Sequence, residues 1–109
     1  MKNWICVSLF VTLVTTVSAQ EQVSTCQDAA KATLDFLTEP QRAELAALSA
    51  DELIDLHFNL GIRVREVFGL WNGNHALRAD CSSVALTKHP DDVSLVIIGL
   101  AWERLRTAP

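Results

Sequence analysis

The residues with the most chemical potential in this 109-residue chain fall in two short stretches, His57 to Trp71 and His89 to Ser94. His57, Gly61 and Arg65 stand four apart, so on an α-helix each lies about 40° from the last and the three form one ridge. The glycine leaves a gap between two polar side chains, into which a second element can come close. The stretch His89-Pro90-Asp91-Asp92-Val93-Ser94 supplies an imidazole and two carboxylates. Asp91 or Asp92 reaching Arg65 would make a bidentate pair, because the planar fork of a guanidinium matches the two oxygens of a carboxylate.

Three chemistries are open to this set. A buried polar cluster at the junction of two helices, with Trp71 packed over it, requires only that its charges be paired, since an unpaired charge does not survive in a core. A metal site from His57 or His89 with Asp91 or Asp92 is the second, as imidazole and carboxylate are competent ligands, but neither H-x-x-x-H nor H-E-x-x-H spacing is present. Acid–base work by His57 oriented by Asp92 is the third, because histidine titrates near neutral pH. No nucleophile or oxyanion pattern accompanies it. Ser94 reads as a polar first-turn residue, His75 as a solvated residue beside the Asn72-Gly73 turn, and Glu39, Glu44, Asp51, Glu52 and Asp55 as solvated helix faces. The set carried forward is therefore His57, Arg65, Trp71, His89, Asp91 and Asp92, as a binding or fold-organising cluster with no catalytic residue, metal or cofactor assigned. The alternative is a small metal-dependent or acid–base enzyme centred on His57, Arg65, His89 and Asp92.

The elements that must hold these residues are helical, and no segment has useful strand periodicity. Cys26, Ala29, Ala30, Thr33 and Leu37 recur on one helical face after a Ser24-Thr25-Cys26-Gln27 capping box. A second box, Thr38-Glu39-Pro40-Gln41, opens a short helix through Leu48, with its proline in the first turn where no N–H is needed. Ser49-Ala50-Asp51-Glu52 caps a third helix over residues 50–68, with Leu53, Leu56, Leu60, Val64 and Val67 inward and Gly69 as its C′ residue. Leu70 to Asn74 is a loop, and Asn74 caps a short helix over residues 75–82. Pro90-Asp91-Asp92 begins a last helix to about Arg106, with proline near N1 and two carboxylates at the positive end of the macrodipole. Its stripe of Val93, Val96, Ile97, Leu100, Ala101 and Leu105 is widened by Leu95, Ile98 and Trp102, as in a helix packed on more than one side, and Gly99 offers a close crossing. The expected architecture is an all-α, single-domain bundle of four to five helices.

The two stretches together resemble an uncharacterised bacterial domain family with the pattern H-F-x-x-G-x-x-I-R-N-x-x-G-L-W, a spacer, H-P-D-D-x-S and a terminal apolar helix. His57, Phe58, Gly61, Arg65, Gly69, Leu70, Trp71, His89, Pro90, Asp91, Asp92 and Ser94 match, Val64 replaces isoleucine and Glu66 replaces asparagine. The resemblance covers residues 57–105. It implies the fold and assigns no activity.

The first nineteen residues read as a leader: Met1-Lys2-Asn3, an apolar run from Trp4, then Val17-Ser18-Ala19 with small residues at −3 and −1. A membrane-spanning helix needs about 20 apolar residues, more than this run supplies. Cleavage after Ala19 leaves residues 20–109 as one domain and, without Lys2, 8 Lys+Arg against 13 Asp+Glu, a charge of −5 in place of −4. That balance and the absence of a basic cluster argue against nucleic acid or a polybasic membrane anchor, and nothing left is apolar enough for stable membrane insertion. Of three cysteines Cys6 leaves with the leader, so Cys26 and Cys81 can pair only with each other in an oxidising compartment. A redox or metal pair is the alternative, against which stands the lack of C-x-x-C spacing. Such a chain is expected in the periplasm or outside the cell, acting through contact with an envelope or secreted protein.

Overall fold

The structure is a computed structural model that describes residues 22–85 and 88–108; the leader expected over residues 1–19 lies outside them. The described residues form α1 (Cys26–Phe36), α2 (Glu39–Ala47), a 3-10 helix (Ala50–Phe58), α3 (Leu60–Val67), α4 (His75–Ala85) and α5 (Pro90–Thr107), with no strand among them. The all-α expectation holds, with one element more than expected.

The extra element comes from residues 50–68, which divide at Asn59 instead of running as one helix. Asn59 has φ −128° and ψ −85°, outside the helical region, and its side chain accepts from the Leu60 N–H at 2.6 Å to start α3. The short side chain of Asn59 accounts for the division, since it offers the Leu60 N–H a partner in place of a helical carbonyl. Within α3 Val64 is buried, as is Phe68 four residues on, while Val67 is exposed, correcting its place in the expected inward stripe.

The helix starts are held by the short polar residues before them. Thr25, not Ser24, caps α1: its hydroxyl accepts from the Asp28 N–H at 3.1 Å, which brings an acid to the positive end of the helix. Thr38 and Gln41 form the expected box on α2, and the Glu52 carboxylate accepts from the Ser49 N–H at 2.8 Å. α3 ends at Gly69, whose φ of +64° is the left-handed conformation a helix C′ position favours and side chains resist. Asn74 accepts from the Leu77 N–H at 3.2 Å as the expected cap. Its amide nitrogen also donates to Val23 O at 2.9 Å and Phe68 O at 2.8 Å, so one buried side chain joins the segment before α1, the end of α3 and the start of α4. α4 runs three residues beyond the expected Ser82.

α5 is the element on which the rest pack: it touches α1, α2, the 3-10 helix, α3 and α4. Val93, Ile97, Ile98 and Ala101 are fully buried and meet Ala29, Ala30, Val64, Leu70 and Leu77 in one core. The wide apolar face of this helix is thus accounted for by burial on several sides. Gly99 is not part of a close crossing, since a Cβ built there meets nothing within 4 Å. At the far end the Trp102 indole donates to Leu48 O at 2.8 Å, fastening the exit of α2 to α5.

Cys26 and Cys81 form the disulfide, buried between α1 and α4, and the Asp80 carboxylate beside it accepts from the Cys26 N–H at 2.7 Å. The bridge closes a loop of 55 residues, which restricts the unfolded chain by about 4 kcal/mol on a chain-entropy estimate. The paired substitution Cys26→Ser, Cys81→Ser should lower unfolding free energy in urea by at least that amount, since two hydroxyls would also be buried; a loss below about 1 kcal/mol would mean that the bridge constrains little.

Candidate functional site

Arg65 lies in the last turn of α3 with its side chain 8% exposed, an unusual place for a guanidinium. All three of its nitrogens are engaged. Nη1 donates to Ser94 Oγ at 3.0 Å, Nη2 donates to His57 O at 3.0 Å, and Nε stands 3.6 Å from Asp91 Oδ1. The charge pair is therefore one-sided, not the bidentate fork expected, because two edges of the guanidinium serve a hydroxyl and a carbonyl. Ser94 is itself fully buried and donates to Asp91 O at 2.8 Å, closing a ring of contacts at the start of α5.

Gly61 permits this arrangement. A Cβ at that position would lie 3.0 Å from Arg65 Nη1 and 3.1 Å from Leu56 O, so the guanidinium folds over the one residue of the ridge that has no side chain. The ridge read from the sequence is correct in outline and wrong about which atoms it presents. His57 enters the cluster through its backbone carbonyl, while its ring sits edge-on to Phe58 with centroids 4.6 Å apart.

His89 caps α5, its Nδ1 accepting from the Asp91 N–H at 3.1 Å and standing 4.0 Å from Asp91 Oδ2. Trp71 does not cover the cluster. It is 59% exposed and meets the ring of His89 edge to face, at 5.5 Å and 87°. Asp92 is exposed on the first turn of α5, where it faces the positive end of the helix. Of the six residues singled out, the structure joins Arg65, Asp91 and the backbone of His57 directly, and reaches His89 and Trp71 through Asp91. Ser94 belongs to the cluster as well, and its position one turn after Pro90, on the buried side of α5, is the sequence signal for it.

The arrangement is chemically conservative. Each of the three guanidinium nitrogens of Arg65 faces a partner from the protein itself, which fits a scaffold role. Among the described residues no group of three or more His, Cys, Asp and Glu is placed to hold a metal ion. Nor is any described helix long and apolar enough to cross a membrane.

What the fold and cluster define is a small, disulfide-closed, all-α domain organised around a buried arginine. The chain belongs to the family described as a domain of unknown function, DUF6794, which it matches over residues 24–105, a span containing both bridged cysteines and the whole cluster. No curated protein and no solved structure matches it.

Two measurements test this account of the cluster. Arg65→Ala leaves Ser94, His57 O and Asp91 without their shared donor and should cost about 3–5 kcal/mol in denaturant unfolding; a loss under 1 kcal/mol would overturn a scaffold role. Gly61→Ala and Gly99→Ala should have opposite signs although both glycines are helical. The first forces Arg65 or the 3-10 backbone to shift and should destabilise by about 1–2 kcal/mol, while the second enters open space and should stabilise by up to about 1 kcal/mol.

Proposed function

We propose that this chain is an exported bacterial binding module that acts through contact with another protein, in the periplasm or outside the cell, after loss of residues 1–19. The observation that carries the reading is the division of labour within the signature stretch. Arg65 and Ser94 are turned inward and bound to one another, whereas two of its aromatics face solvent, Phe58 at 80% and Trp71 at 59% exposure. Burying a phenylalanine is worth about 1.5–3 kcal/mol, so an aromatic left in water is affinity held in reserve, and aromatic side chains dominate interface energetics.

Both aromatics are held in place by the arginine cluster. Phe58 follows His57, whose carbonyl is tied to Arg65, and Trp71 rests on His89, the cap of the helix start that Arg65 grips. A rigid presentation lowers the ordering cost of association. Export is supported by the leader-like N-terminus and by the Cys26–Cys81 bridge, since such bridges persist where the compartment is oxidising. The enzymatic alternative centred on His57, Arg65, His89 and Asp92 draws less support, because the guanidinium is committed to the scaffold and the ring of His57 faces Phe58 instead of Arg65.

The test uses oxidised residues 20–109 as bait in an envelope extract, beside Phe58→Ser and Trp71→Ser versions that melt with the wild type. A saturable partner that binds wild type at least tenfold more tightly than one of these variants supports the reading. A partner captured equally by all three, or repeated capture of none, counts against it.

A further inference from the structure

A second feature lies away from the arginine cluster. Between α2, the 3-10 helix and α3 runs an open cleft of about 580 Å³ whose walls are five leucines, Leu37, Leu45, Leu48, Leu56 and Leu60, with the amides of Gln41 and Asn59 among them. That volume falls within the range of small-molecule sites, which are predominantly apolar with a few polar groups that set orientation. The leucines form most of the wall and supply no ring to stack on, so the surface suits a flexible alkyl group, with the two amides beside it.

Two charged residues line the cleft, Arg63 and Glu44. They are not equivalent. The Arg63 guanidinium is held: its Cζ lies 4.2 Å over the Phe36 ring, and Nη2 donates to Phe36 O at 3.3 Å. Those contacts occupy one face and one N–H and leave the other donors of the fork open to solvent. The Glu44 carboxylate, by contrast, is in no hydrogen bond or ion pair among the described residues. A pre-positioned cation with unused donors beside an apolar trough is complementary to an anionic head on an apolar tail, and a carboxylate fits the two-pronged edge of a guanidinium.

We propose that this cleft binds a free long-chain carboxylate, a fatty acid in monomeric form, with its alkyl chain laid along the leucines and its carboxylate held by Arg63. The site shares no wall residue with Phe58 or Trp71 and stands independently of the protein-contact reading.

The experiment is calorimetric titration of the oxidised chain with decanoate, laurate and palmitate below micellar concentration, with dodecanol and dodecyltrimethylammonium as head-group controls. Leucine methyl shifts locate the ligand. Arg63→Gln and Glu44→Gln change exposed side chains and should leave the melting temperature near that of the wild type. One laurate per chain is expected, with shifts at Leu48, Leu56 and Leu60 and not at Leu70 or Leu77. Affinity should rise about fourfold per added methylene from decanoate to laurate. Arg63→Gln should weaken laurate about tenfold and remove its advantage over dodecanol, while Glu44→Gln should tighten it. The proposal is overturned if laurate does not bind, if its shifts fall elsewhere, or if Arg63→Gln leaves its affinity unchanged. It is equally overturned if dodecanol binds as well as laurate, or if dodecyltrimethylammonium binds more tightly and is lost in Glu44→Gln.

Discussion

Removing a guanidinium from water is costly unless its nitrogens find partners, and the requirement to satisfy Arg65 shapes much of this small fold. Its three partners come from two elements distant in sequence: the carbonyl of His57 from the 3-10 helix, and the Ser94 hydroxyl and Asp91 carboxylate from the start of α5. Each must be present at once. The division of residues 50–68 at Asn59 turns the backbone so that a carbonyl is available to the arginine, and the proline-led start of α5 turns a carboxylate and a hydroxyl toward it. Gly61 removes the one side chain that would occupy the guanidinium's place. A hydrophobic contact could hold α3 against α5 with more tolerance for sliding; this polar cluster fixes their register.

Much of this was legible in the sequence because it depends on local rules. The caps at Thr38 and Asn74, proline at the start of α5, the C′ glycine at position 69 and the inward stripe of α5 all follow from spacing and short side chains acting within a few residues. The pairing of Cys26 with Cys81 follows from the residues left once Cys6 is set aside. The approach of α5 to Arg65 is legible too, since a glycine between two polar residues on one ridge points to a close approach.

The parts that were not legible depend on the backbone more than on side chains. Whether residues 50–68 form one helix or two turns on the backbone of Asn59, whose departure from helical φ and ψ a continuous inward stripe does not reveal. Whether His57 contributes its imidazole or its carbonyl cannot be read from residue type, as every residue carries the same carbonyl. A large aromatic next to a polar cluster is usually a lid, whereas the turn through Gly69 and Gly73 carries Trp71 outward onto His89. Arg63 carries no sequence motif; its setting over Phe36, at the edge of a cleft built by three separate elements, exists only once the chain is folded.

The placement of α5 separates the covalent closure of the molecule from its packing. The disulfide encloses α1 to the middle of α4, yet the helix on which those elements pack lies beyond the ring and is the last of the described elements in chain order. The apolar surfaces of α1, α3 and α4 are covered by residues 90–107 through non-covalent contacts alone. An intact bridge is therefore no guarantee of an intact interior, because the ring can stay closed while its central helix is lost.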